Sequence, residues 1–161
     1  MSYAADNIAA EYLVAESSAS IDSTNTDYAY FDERAVVLKK YLESKNSPLA
    51  IYSKDFVLYA DKYELDYRLV PAITGVESSF GKRIPMNSYN AYGWANGKYK
   101  FENWEESIEI VSKTLKEKYI DKGATSIEAI GRIYAPPSPT WSGKIHYFMN
   151  QMDPMPIEYT L

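Results

Sequence analysis

From residue 32 onward, apolar side chains recur at three- and four-residue spacing, broken at short intervals by capping and turn residues. Asp32 stands ahead of a run to Ser44 whose Ala35, Leu38, Tyr41 and Leu42 share one face, which predicts a capped helix. Ser47-Pro48, a cap followed by proline, predicts the next start, with Tyr52, Phe56, Tyr59, Ala60 and Tyr63 gathered on one side. After the short Leu65-Asp66-Tyr67 connection, Pro71 falls in the first turn of a third helix. Its buried face reads Leu69, Ala72, Ile73, Val76 and Phe80, and Gly81 is placed to end it.

Residues 82–93 carry loop chemistry. Asn96-Gly97 then sits between Tyr92-Gly-Trp94 and Tyr99-Lys-Phe101, which predicts a small β-hairpin with a type I′ turn. Asn103-Trp-Glu-Glu106 is a capping-box pattern opening a long helix with Trp104, Ile108, Val111, Leu115 and Tyr119 aligned. Lys113, Lys116 and Lys118 suit the negative end of its dipole, and Gly123 stops it. Thr125-Ser-Ile-Glu128 opens a short helix to about Tyr134, prolines forbid its continuation, and Thr140 precedes a last helix carrying Trp141, Ile145, Phe148 and Met152. The expected fold is mainly α, with about six helices and one hairpin, and no internal repeat.

Residues 1–31 lack this patterning. They are rich in Ala, Ser, Asp and Tyr and read as an acidic tail or linker, with a short helix over Asn7–Val14 the sole candidate element. The expected organisation is therefore a tail over 1–31 and a single domain over 32–161, large enough to bury a core unaided. The formal charge of −5 belongs to that tail, which holds Asp6, Glu11, Glu16, Asp22 and Asp27 and no Lys or Arg, while the rest of the chain is balanced. A neutral domain with an acidic tail argues against nucleic acid as a partner. With no cysteine and a single histidine, His146, thiolate metal sites, disulfides, a His-based metal centre and a Ser-His triad are all disfavoured, and no cofactor is implied. His146 keeps company with Trp141, Ile145 and Phe148 and reads as structural or surface. No apolar run is long enough to cross a membrane. The chain also lacks a basic stretch followed by a leader-type apolar run, which leaves either a protein kept inside or one whose leader has been removed.

The residue that stands out chemically is Glu77. It lies at the edge of an apolar stripe formed by Ile73, Val76 and Phe80, in the last turn before Gly81. Partial desolvation disfavours its charged form. The negative end of the helix dipole does the same, by about 1 kcal/mol or less. A carboxyl kept protonated near neutral pH is what a general acid requires. A solvated glutamate at a helix end is the plain alternative. Beyond it, Asn90-Ala-Tyr-Gly-Trp94 offers amide and aromatic groups of the kind that bind sugar hydroxyls, N-acetyl groups and ring faces, and the chain holds 16 tyrosines and 3 tryptophans. Trp104 and Trp141 are assigned to the core, and Trp94 is open to either role.

Residues 69–81, Leu-Val-Pro-Ala-Ile-Thr-Gly-Val-Glu-Ser-Ser-Phe-Gly, resemble the catalytic-helix motif of the lysozyme-like superfamily, an apolar helix ending in Glu-Ser, then an aromatic and Gly. Within it, the chain is most similar to the bacterial endo-β-N-acetylglucosaminidases of the flagellar and autolysin type (the mannosyl-glycoprotein endo-β-N-acetylglucosaminidase-like domain), with lytic transglycosylases as relatives. Asn90-Ala-Tyr-Gly-Trp94 resembles their Asn-Leu-Phe-Gly turn. Phe101-Glu-Asn-Trp-Glu-Glu-Ser-Ile108 resembles their passage from hairpin to helix, and Ile130-Gly-Arg-Ile-Tyr-Ala-Pro-Pro137 their Tyr-Ala motif. The resemblance covers roughly residues 50–152 and implies a lysozyme-like fold and a secreted or envelope enzyme acting on peptidoglycan glycan strands. It implies that Glu77 protonates the glycosidic oxygen and that Tyr134 sits near the scissile bond, binding the N-acetyl group or steadying the transition state. Asn90, Tyr92 and Trp94 would border the sugar subsites, and Ser78 would contact substrate or support the loop.

The chain departs from that pattern in its short Tyr92–Phe101 segment, which lacks the second carboxylate usual in the longer hairpin of these enzymes. Glu102 is the nearest substitute, with a solvated acid before a helix as the alternative. Glycosidases usually use two carboxylates, so hydrolysis and single-glutamate lytic transglycosylation both stay open. A non-catalytic glycan-binding or scaffold module of the same fold is the contrasting expectation.

Overall fold

The structure is a computed structural model and describes residues 32–136 and 138–153, within the compact unit that begins at Asp32. The expectations for residues 1–31, tail and short helix alike, lie outside the described residues. The described chain is mainly helical. Its α-helices are α1 (Glu33–Ser44), α2 (Ser53–Lys62), α3 (Leu69–Ser78), α4 (Trp104–Thr114), α5 (Ile127–Tyr134) and α6 (Trp141–Gln151).

Local chemistry sets most boundaries. Asp32 caps α1 by accepting from the Arg34 N–H at 2.9 Å, and Ser126 caps α5 by accepting from Ala129 N–H at 3.1 Å. Asn103 caps α4 by accepting from Glu106 N–H at 2.8 Å, while the Glu106 carboxylate reaches back to the N–H of Glu102 at 2.6 Å. This is a capping box displaced by one residue. The Ser47-Pro48 start is gentler than a direct cap. Ser47 Oγ accepts from Leu49 N–H at 3.1 Å, and a tight turn over Ala50–Tyr52 leads into α2. Thr140 precedes α6 without a capping side-chain bond.

The helix α3 is central. Eight of its ten residues are buried, and Glu77 is its one charged side chain. A helix apolar nearly all round must be covered on all sides, and α6 and α4 both pack on it. Leu38, Leu42, Phe56, Ile73, Ile108, Val111, Leu115, Trp141, Ile145 and Met152 form the interior. Each such side chain contributes about 1.5–3 kcal/mol by leaving water, so truncating Ile73 to alanine removes about 2–5 kcal/mol. Tyr59 and Tyr63, expected among the buried set, are only partly covered. Tyr63 turns its hydroxyl to Glu109 at 3.1 Å.

Two features differ from the expectation. The first is the end of α3. It stops at Ser78, and Ser79, Phe80 and Gly81 all take positive φ (52, 61 and 79°). Ser79 and Phe80 bear this conformation at about 1–2 kcal/mol each. Folding back in this way brings the Phe80 ring over Gly75, where a Cβ would come within 2.7 Å of it, and sets it edge-on to Tyr41 and Phe148.

The second is the hairpin: no strand occurs among the described residues, and Tyr92–Phe101 is a left-handed turn instead. The Asn-Gly chemistry is intact. Asn96 and Gly97 have φ of 54° and 80°, and Lys98 N–H closes on Ala95 C=O at 3.1 Å. Pairing of the flanks goes no further than Tyr99 N–H on Trp94 C=O at 3.3 Å, and Asn90 takes backbone groups of both sides. Its Nδ2 donates to Trp94 C=O at 2.9 Å and Tyr99 C=O at 3.1 Å, and its Oδ1 accepts from Trp94 N–H at 3.1 Å. A side chain that satisfies the main chain competes with a ladder. Beyond Thr114, α4 widens into a π turn over Leu115–Tyr119, then a short Ile120–Lys122 turn ending at Gly123 with φ 99°. No helix among the described residues is long and apolar enough to cross a membrane.

Candidate active site

Glu77 is half-buried at the exit of α3, on the wall of a cavity of about 680 Å³. Three segments complete the wall. The 92–99 turn brings Gly93, Trp94, Asn96 and Tyr99, the π turn brings Tyr119, and the end of α5 brings Tyr134. Glu77 is the sole carboxylate among the lining residues.

Its carboxyl is held from two directions. Oε1 accepts from the indole N–H of Trp141 at 2.9 Å. Oε2 lies against Gly93, where a Cβ would stand only 2.8 Å away. Gly93 also has φ 73°, so two separate constraints, backbone conformation and close approach, call for glycine there. Trp141 is 2% exposed and stacks on Tyr134 with ring centroids 5.3 Å apart and planes 27° from parallel. Tyr134 donates its hydroxyl proton to the Tyr92 carbonyl at 2.6 Å. Burial, and next the Glu77 charge, push the Tyr134 phenol well above its ordinary value, opposed by the Trp94 indole. It is therefore neutral at any working pH, and because its one proton is spent on Tyr92, its remaining capacity is as an acceptor.

The structure divides the residues expected at the site. Glu77, Tyr134 and Trp94 line the cavity, and Tyr92 meets it from a fully buried position. The Tyr92 hydroxyl points away, to Ser107 Oγ at 3.1 Å. Asn90 is 3% exposed and uses its amide to shape the turn, as above. Ser78 is equally buried. Its Oγ lies 2.9 Å from Ala91 C=O and 3.0 Å from Thr74 C=O, and accepts from Gly81 N–H at 2.9 Å. Ser78 and Asn90 thus build the loop that carries Gly93 rather than meeting the cavity. Glu102 is exposed and does not line it. Trp141 is core, as the sequence indicates, but its bond to Glu77 was missed, and so were Gly93, Asn96, Tyr99 and Tyr119 as lining residues. Gly93 had a local signal, standing between two aromatics in the Asn-Ala-Tyr-Gly-Trp run. Trp141 had none.

No group of three or more His, Asp or Glu residues is placed to hold a metal ion among the described residues. His146 is exposed and paired with Glu128 at 2.8 Å. A half-buried carboxyl with one oxygen fixed by an indole N–H, on the wall of an aromatic-lined cavity, can deliver a proton to a ligand whose faces are apolar and whose edges are polar. No family model and no curated protein matches the chain.

Proposed function

We propose that this chain cleaves the glycan strands of peptidoglycan, with Glu77 as general acid on a lysozyme-like fold. The observation that carries the reading is the placement of Glu77 as the lone carboxylate on the wall of an aromatic-lined cavity of about 680 Å³. That volume lies within the range of small-ligand sites, roughly 300–1,000 Å³. Trp94 and Tyr99 at the turn offer faces for sugar rings, and the Tyr134 oxygen, its proton spent on Tyr92, suits the N–H of an acetamido group as an acceptor. The choice of amino-sugar polymer rests on the four sequence stretches that resemble the glucosaminidases.

With one carboxylate at the cavity, the anomeric carbon is attacked by something other than water activated by a second acid, as its bond to the oxygen protonated by Glu77 breaks. Attack by the same sugar's 6-hydroxyl closes an anhydro ring and returns its proton to the deprotonated Glu77, whereas attack by its acetamido oxygen gives a cyclic oxazolinium that water then opens. Glu77→Gln is expected to abolish clearing of purified peptidoglycan while keeping the melting temperature. Clearing at the wild-type rate would remove Glu77 from the chemistry. Mass spectrometry of the products separates anhydro ends from reducing ends. The lone carboxylate also favours a second reading, a glycan-binding module without turnover. Saccharide binding with no product at any pH supports that alternative.

A further inference from the structure

We propose that Trp141 is a positioning residue that decides which oxygen of Glu77 carries the acidic proton. This rests on the reading of Glu77 as general acid. An indole N–H only donates. Its partner Oε1, at 2.9 Å, must therefore accept in both charge states of the carboxyl. The carbonyl-type oxygen of a neutral carboxyl is the better acceptor, so the proton goes to Oε2. That is the oxygen that packs on Gly93, where the lack of a side chain gives it room, and both residues line the cavity. The acidic proton is thereby aimed at the space a glycosidic oxygen would occupy.

Trp141 cannot easily yield. It is 2% exposed, its ring lies on Tyr134, and a Cβ at Gly131 would come within 3.0 Å of it. Tyr134 is in turn tied to the Tyr92 carbonyl at 2.6 Å. The indole is thus wedged between α5 and the acid, as orienting groups must be.

The test replaces Trp141 by its benzothiophene isostere, which keeps the ring and loses only the N–H, beside Trp141→Phe. Turnover of peptidoglycan is followed across pH. The isostere is expected to keep its melting temperature and its KM and to lose at least about ten-fold in kcat. In the wild-type protein, the indole proton resonance of Trp141 is expected at the position of a hydrogen-bonded N–H, and to move in Glu77→Gln. An isostere with unchanged kcat, or an indole resonance indifferent to Glu77→Gln, overturns the proposal. The two ideas fail separately: an active Glu77→Gln sinks the general-acid reading, whereas an inactive Glu77→Gln beside a fully active isostere sinks only the role of Trp141.

Discussion

Gly93 and Glu77 approach so closely that a methyl group on the glycine would stand 2.8 Å from the carboxylate oxygen Oε2. The contact couples the turn to the acid. Gly93→Ala must adopt φ 73° with a side chain, at about 1–2 kcal/mol, and must also displace the carboxyl. A misplacement of about 1 Å can cost on the order of a hundred-fold in rate. The expected outcome is a kcat on peptidoglycan lowered by about ten- to a hundred-fold with only a few degrees lost in thermal melting. Full activity in the alanine variant would mean that the carboxyl has room to spare.

Ser78→Ala is expected to act on stability instead. It strands the buried Ala91 carbonyl and Gly81 N–H, which bond to Ser78 Oγ at 2.9 Å each. Leaving such groups unpaired costs about 1–3 kcal/mol. Urea unfolding should report that loss, with KM for the folded protein unchanged. A raised KM at unaltered stability would restore Ser78 to the substrate.

Glu102→Gln separates the two carboxylates that the sequence offered. Glu102 is exposed and lies outside the cavity lining, so the variant should keep kcat within about two-fold, well short of what loss of a true acid or base removes. A loss comparable with that of Glu77→Gln would identify it as the second carboxylate.

Alkaline stability has a defined sign. Burial raises the phenols of Tyr41, to about 12, and of Tyr67, and raises Tyr134 well above the usual range. Each folded phenol then holds its proton where the unfolded one loses it. The stability is full below about pH 10 and falls as the pH climbs through the folded values. Tyr41 adds a buried hydroxyl without a hydrogen-bond partner. Tyr41→Phe should therefore raise stability at neutral pH by about 1 kcal/mol and flatten the alkaline decline in melting temperature. A lowered melting point at pH 7 would show that the hydroxyl is satisfied after all.

Helix starts were legible because caps are local. Asp32 and Asn103 each bond an N–H two or three residues on, so the letters suffice, whereas the cap of α5 is Ser126, one residue past the Thr125 that opens the expected box. The apolar stripe of α3 was legible for the same reason, and it correctly put Glu77 at a covered helix end. The hairpin was misread although Asn96-Gly97 turns as its chemistry dictates: the ladder stops at one bond between Tyr99 and Trp94, and Asn90, outside the expected segment, bonds the backbone of both residues. Trp141 was rightly read as core, but its bond to Glu77 was not legible. Its ring is buried, and its N–H reaches Glu77, 64 positions away. No pattern along the chain distinguishes such an indole from an ordinary buried one.

The π turn over Leu115–Tyr119 bears on how the cleft got its shape. A π turn amounts to one residue spliced into a regular helix, and here it ends on Tyr119, which flanks Tyr134 with centroids 6.1 Å apart. Removing a single residue from this stretch would restore ordinary winding and swing that aromatic out of the opening, while the helix upstream kept its register. The reach of Tyr119 toward the cavity it lines is thus governed by chain length at one spot. An insertion or deletion there would recast that wall while leaving the helix before it untouched.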